Sequence, residues 1–414
     1  MKLHHVCLMS LGLVLWAPLF VAGGEWSRFR GPNGTGQSDA KDIPATWTNK
    51  DYKWRVRVPG ISHSSPVVWG EQIFVTSAVQ EDGTRNIRCL STAAGSLIWE
   101  QSFGATVFDL ANSTAYDTAS PTVDKDHVYM AWGTPDEYAV VALDKQEGRE
   151  VWRRDLGPYQ GDHGYGASPI LFEDLLILPN DQTGPSSTIA LDRMTGKTRW
   201  RAERRTVKTA YSTPVIYEAE GGPPQLILAS TANGVSSLDP RSGKLNWELA
   251  DVFGELRVVG SPVVVAGLIV AQCGGGGGGK RMVAVEPSNS ADRTTARVAY
   301  EIEGSLPYVP TPVARGNLLF IISDGGVASC IDAPTGKRLW RERVGGNYFA
   351  SPICVGDRIY CVSRRGEMVV LAAEDEYKLL SRIDLEEPSH STPAVAGGVM
   401  YVRTLSHVMA ISGG

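Results

Sequence analysis
The sequence predicts an all-β fold, a closed ring of eight four-stranded antiparallel units, and three observations predict it. The 414 residues include 45 Gly and 24 Pro. Long helices tolerate that punctuation badly, because an interior Gly costs about 1 and an interior Pro about 3 kcal/mol. A small hydroxyl residue followed by Pro and then apolar residues recurs eight times, at Pro66, Pro121, Pro169, Pro214, Pro262, Pro312, Pro352 and Pro393. Finally, Trp99, Trp152, Trp200, Trp247 and Trp340 each have Gly four residues earlier, in step with the prolines. Self-similarity at this period marks an array of supersecondary units, none of which buries both of its faces alone.

Taken in order, residues 1–24 read as a secretory signal. Lys2 stands near the start, Leu8 to Ala22 is apolar, and Ala22, Gly23 and Gly24 offer small residues for cleavage. The run is short for a membrane span, and no Leu-small-small-Cys box closes it. The expectation is an exported chain, periplasmic or secreted, with no membrane anchor after cleavage. Residues 25–46 follow as an N-terminal extension. Its segment WSRFRGPNGTG, Trp26 to Gly36, combines Trp, Phe and a Pro-Asn-Gly turn and suits a role in pinning the terminus under the ring.

The repeats occupy residues 47–414. In each unit Pro opens the innermost strand, where its missing N–H breaks no ladder bond. Segments such as SPVVWGEQIFVTS read as two strands joined by a tight turn. Segments such as ALDRMTGKTRW and CIDAPTGKRLW read as a second hairpin whose Gly takes the left-handed position. Trp then falls on the outer strand, where it can pack against the neighbouring unit. Four strands per repeat of this length is the signature of a β-propeller blade. The fifth unit departs, with an insert (EPSNSADRTTARVAY) and Tyr300 at the Trp position. The seventh has Leu380 there and lacks the Gly, and the eighth stops at Ile411 after its third strand. Trp47 to Val58 (WTNKDYKWRVRV) supplies a strand with no repeat of its own. The strand of Trp54 is therefore expected to complete the last blade and close the ring, which removes exposed edges.

The formal charge of -5, from 40 Lys and Arg against 45 Asp and Glu, argues against a nucleic-acid partner. The tight basic cluster Arg201 to Lys208 reads as a solvated outer strand and loop. Cys89, Cys273, Cys330, Cys354 and Cys361 are an odd, sparse set, expected as buried free thiols rather than a disulfide framework. His63, His127, His163, His390 and His407 show no ligand spacing, so no metal site is expected. Gly274 to Gly279 precedes Lys280 as in a phosphate-binding loop, yet Arg281 stands where Ser or Thr would hold Mg²⁺ and no helix follows. A flexible hairpin loop is expected there. No Gly-x-Ser-x-Gly elbow occurs, and no catalytic residue is assigned.

Function in a propeller concentrates at the channel mouth, just before the inner strands. The residues a few places before each Ser/Thr-Pro are the candidate ligand-binding set: His63, Tyr116, Asp117, His163, Tyr165, Tyr211, Arg257, Tyr308, Tyr348 and His390. Such aromatic and imidazole groups can stack on a flat or sugar-like ligand and hydrogen-bond its rim.

The unit SPVV...G..VYV...ALD..TGK..W resembles the pyrroloquinoline quinone (PQQ)-like β-propeller family over roughly residues 47–414. That family includes quinoprotein dehydrogenases and the outer-membrane assembly lipoprotein BamB. WSRFRGPNGTG looks like the opening of exported members from planctomycete-type bacteria. The resemblance implies either a binding scaffold or an oxidoreductase using PQQ with Ca²⁺ on alcohols or sugars. The dehydrogenases carry adjacent cysteines beside the quinone, and this chain has no Cys-Cys pair. It also lacks the lipoprotein's anchoring Cys. The leading expectation is an exported, monomeric, non-enzymatic binding or scaffold module without a cofactor, with a protein or carbohydrate ligand at the channel face. The quinoprotein is the alternative.

Overall fold
The computed structural model describes residues 24–110, 115–276, 278–290 and 293–413. The expected leader lies outside them apart from Gly24. Eight sheets form eight blades of an all-β propeller, numbered 1 to 8 by the inner-strand prolines Pro66, Pro121, Pro169, Pro214, Pro262, Pro312, Pro352 and Pro393, each blade a four-stranded antiparallel meander. Blade 1, for instance, comprises Val67–Trp69, Gln72–Ala78, Arg85–Ser91 and Leu97–Phe103, in that order. Its second strand is buried throughout, because both of its faces meet other blades, and hence its long apolar run. The outer strand alternates, with Leu97 and Ile98 exposed and Trp99 buried.

Blade 8 takes three strands from the C-terminus, Ala394–Ala396, Val399–Arg403 and His407–Ile411, and its fourth from Tyr52–Arg57. Trp54 pairs with Ala410 and Val56 with Val408. The two ends of the ring are thus joined within one sheet.

Neighbouring blades are joined through the recurrent Trp and Gly. The indole N–H groups of Trp54, Trp99, Trp152 and Trp200 donate to the carbonyls of Thr92, Lys145, Arg193 and Pro240, at 2.8 to 3.1 Å. Each ring covers the glycine of that next blade, Gly95, Gly148, Gly196 or Gly243, held at φ between 66° and 71°. A Cβ on any of them would stand 2.5 to 2.7 Å from an indole carbon. Each Gly therefore serves the Trp of the preceding blade, not the Trp four residues later. Tyr300 substitutes for Trp in blade 5, covering Gly336 and donating its hydroxyl to the Ala333 carbonyl. Trp247 faces the inserted hairpin of blade 5, which lacks the Gly, and its N–H turns back to Gln225 Oε1 at 2.7 Å.

The N-terminal extension runs across one end of the channel. Glu25–Trp26 adds an antiparallel strand to the inner edge of blade 1, and Gln37–Ser38 adds a parallel one to blade 7. Between them, Asn33 exchanges hydrogen bonds with both backbone groups of Ile216 in blade 4. Trp26 is fully buried, which explains the aromatic opening of the segment.

Candidate functional site
In seven of the eight units the hydroxyl residue before the inner-strand Pro turns out to be structural as well as positional. The amide of Ser65 donates to the hydroxyl of Ser120, that of Ser120 to Ser168, and so on through Thr213, Ser261, Thr311, Ser351 and Thr392. These seven links, 2.8 to 3.0 Å long, form a belt around the channel. Each one supplies an acceptor to a buried amide that would otherwise be stranded at the start of its strand.

Above the belt a cavity of about 620 Å³ opens on the channel axis. Its wall is built by one register position, two residues before each belt hydroxyl: His63, Thr118, Gly166, Tyr211, Val259, Val309, Phe349 and His390. His163, Tyr308, Lys280 and Asp324 complete the rim, and Phe29 of the N-terminal extension lies at the base. Gly275, Gly276 and Gly278 of the glycine-rich hairpin bring backbone to the cavity edge. Lys280 is ion-paired with Asp324, whose carboxylate also accepts the amides of Tyr308 and Val309 at 2.7 and 3.0 Å.

Of the ten residues selected from sequence, the cavity brings together five: His63, His163, Tyr211, Tyr308 and His390. The other five stand elsewhere. Tyr165 and Tyr348 lie one residue further from the belt, where the alternation of extended backbone turns the side chain between blades. Tyr165 accepts the hydroxyl of Tyr138 at 2.7 Å, and Tyr348 is fully buried between blades 6 and 7. Asp117 is buried for the same reason and accepts the Thr76 hydroxyl at 2.7 Å. Tyr116 donates to the Phe108 carbonyl and stacks under Arg85. Arg257 stands outside the wall, paired with Asp162 at 2.9 Å. Phe349 was the missed neighbour of Tyr348. An offset held strictly at two residues before the hydroxyl would have found it.

His63 and His390 form a hydrogen-bonded pair, Nε2 to Nδ1 at 2.8 Å, with ring planes 69° apart. Arg364 donates to His390 Nε2 at 3.4 Å, so His390 carries its proton on Nδ1 and gives it to His63. Burial, then the neighbouring His390 and the guanidinium groups of Arg403 and Arg364, push His63 down to about 3. Burial and Arg364 push His390 down to about 4. Both imidazoles are therefore neutral at physiological pH. Tyr211 meets His163 edge-on at 6.1 Å, and burial raises its phenol to about 12. Apart from the Lys280–Asp324 ion pair, the rim thus presents neutral aromatic faces and hydrogen-bonding edges.

A family model described as outer membrane protein assembly factor BamB matches residues 47–202, 136–323 and 301–379. The chain belongs to that family. It is similar to the BamB of Yersinia pestis, 23% identical over 302 residues that cover 67% of this chain and 71% of that protein. It is also similar to a polyvinylalcohol dehydrogenase of a Pseudomonas species, 23% identical over 252 residues, or 55% of this chain. Those residues span only 35% of the enzyme's length. The crystal structure of BamB from Moraxella catarrhalis superposes with a TM-score of 0.61 at 15% identity, covering 86% of this chain and 95% of that one. At that identity the likeness is one of fold.

The residues around the cavity do not fit PQQ with Ca²⁺. Calcium takes about six to eight oxygen ligands, several of them carboxylate. The cavity wall offers one carboxylate, Asp324, already spent on Lys280 and two amides. Among the described residues no three His, Cys, Asp or Glu side chains are grouped to hold a metal ion. The five described cysteines are buried free thiols, none adjacent in sequence to another.

Proposed function
We propose that this protein is an exported binding propeller whose channel mouth receives a protruding group of a protein or carbohydrate ligand, the blades acting as a rigid scaffold. The cavity carries this reading. It has Phe29 of the N-terminal extension at its base, and its wall combines aromatic, imidazole and small apolar groups with one ion pair, the composition of a recognition pocket. Membership of a family named for an assembly factor supports the scaffold role.

The test is binding to peptide and glycan arrays, followed by calorimetry on the hits. Tyr211→Ala, His63→Ala and Phe349→Ala should each weaken a hit about tenfold, the scale of a lost stacking contact in a desolvated pocket. Hits indifferent to all three would place the ligand elsewhere and overturn the reading. Dye-linked oxidation of alcohols or sugars after loading with PQQ and Ca²⁺ should give no turnover; saturable turnover would replace this reading with the oxidoreductase.

A further inference from the structure
Resting on that channel-mouth reading, we propose that the base of the cavity binds a carboxylate, the acidic end of a ligand whose apolar body fills the space above.

The belt supplies the donors. Thr213, Ser261, Thr311 and Ser351 all line the cavity and are 2 to 5% exposed. Each hydroxyl oxygen accepts the amide of the preceding blade. Among the described residues none of the four has an acceptor for its own proton. A hydroxyl carries one donor and two lone pairs, so these four keep an unspent donor along one arc of the wall, as Ser168 and Thr392 do at its two ends. Leaving a buried donor unmet costs about 1–3 kcal/mol.

The charge comes from below. Arg28 and Arg30 are buried beneath the same arc, on either side of Phe29. Arg28 Nη2 donates to the carbonyl of Pro214 at 2.6 Å. Arg30 donates to the carbonyls of Thr311 and Pro352 through Nη1, at 3.1 and 3.0 Å, and of Pro312 through Nη2, at 2.6 Å. Neither guanidinium has a carboxylate partner among the described residues, and the Arg28 Nε is buried without any partner. Burial alone pushes both down, to about 9, so both stay charged at neutral pH. Two buried cations without a counter-ion favour an anion nearby. The carbonyls they bind belong to belt residues or to the prolines that follow them. The positive field therefore falls on the arc carrying the free hydroxyl protons.

A carboxylate suits this arrangement better than a phosphate dianion. The donors are single hydroxyls, and the guanidinium forks are already turned to backbone, so the base can desolvate a monoanion but offers little to a dianion. Above it, Val259, Val309 and Phe349 provide an apolar envelope for the rest of the ligand.

The experiment is calorimetric titration of the intact protein with N-acetyl-L-phenylalanine, with its carboxamide, and with a pentapeptide ending in a free phenylalanine carboxylate. An acid should bind at least about tenfold tighter than the amide, the discrimination expected of hydrogen bonds to a charged group. Thr311→Val and Ser261→Ala should each abolish most of that preference, in proteins whose far-UV circular dichroism without denaturant matches that of the unaltered ring. Tighter binding of the peptide acid assigns the carboxylate to a polypeptide C-terminus, tighter binding of the small acid to a free metabolite, and either outcome supports the site. Equal affinity for acid and amide on the unaltered protein, or no binding of any of the three, overturns it. That failure stays separate from the channel-mouth reading, which stands or falls on the array hits and the three rim substitutions.

Discussion

Substituting Gly243 by Ala tests how the blades are joined. Gly243 sits at φ 70°, and its added Cβ would lie 2.6 Å from Cε3 and 2.9 Å from Cδ2 of Trp200. No real side chain approaches so closely, so the indole must move. Trp200 is only 9% exposed and anchored by its N–H on the Pro240 carbonyl at 3.1 Å, so moving it strains its packing and loosens that bond. The left-handed backbone costs an alanine roughly 1–2 kcal/mol, and overpacking a filled site roughly 1–3 more. Gly221 has nearly the same φ, 69°, with nothing within 4 Å of its Cβ position. Gly221→Ala should therefore lose only the conformational part. Equilibrium urea unfolding, followed by tryptophan fluorescence, measures both. The expected loss is about 2–5 kcal/mol for Gly243→Ala and about 1–2 kcal/mol for Gly221→Ala. In a Trp200→Leu background the excess at Gly243 should vanish, because the two sites share one contact. Equal losses at the two glycines, or an excess that survives without the indole, would refute the docking account.

Other consequences follow from the belt, the histidine pair and the thiols. Thr213→Val keeps the shape of the side chain but strands the buried amide of Ser168, and should cost about 1–3 kcal/mol in the same urea assay. His63 and His390 take a proton near pH 6.5 when unfolded, but only near 3 and 4 when folded. Below pH 6.5 the unfolded chain binds protons that the native one refuses, so stability must fall as pH drops through this window. The urea midpoint of a His63→Gln, His390→Gln variant should decline less between pH 7 and pH 5 than that of the unaltered protein. Burial raises all five described thiols to about 12, so they should resist alkylation at pH 8 in the native state and react together once urea unfolds the ring. Mass spectrometry after a timed alkylation counts them.

Those features were unequally legible in the sequence. Blade number, strand order and the outer-strand Trp could be read because Pro answers the same backbone demand in all eight units, and Gly and Trp the same packing demand in five of them. The role of the Ser/Thr hydroxyl was not legible, since a belt bond joins residues 40 to 55 apart and nothing local distinguishes it from a small residue beside Pro. Position in the mouth was harder still. Extended backbone reverses the side-chain direction at every residue, so Phe349 faces the cavity while Tyr348 faces the core. A window a few residues wide therefore mixes cavity-facing with structural side chains, as it did for Tyr165 and Asp117. Arg28 and Arg30 escaped because burial of an arginine depends on where the extension lies, and a segment read as pinning the terminus under the ring does not show which of its side chains the ring covers.

The central claim, that ligand enters through the channel mouth, is tested most directly by plugging it. Gly276 lines the mouth, is exposed, and has nothing within 4 Å of its Cβ position, so Gly276→Cys introduces a thiol without strain. With the described native cysteines buried, a bulky maleimide can be directed to that site alone, and to Ser242→Cys on an outer hairpin as the control. Titrating an array hit into both labelled proteins by calorimetry should show binding lost with the mouth plugged and retained with the hairpin labelled. Undiminished binding to the plugged protein would contradict the account.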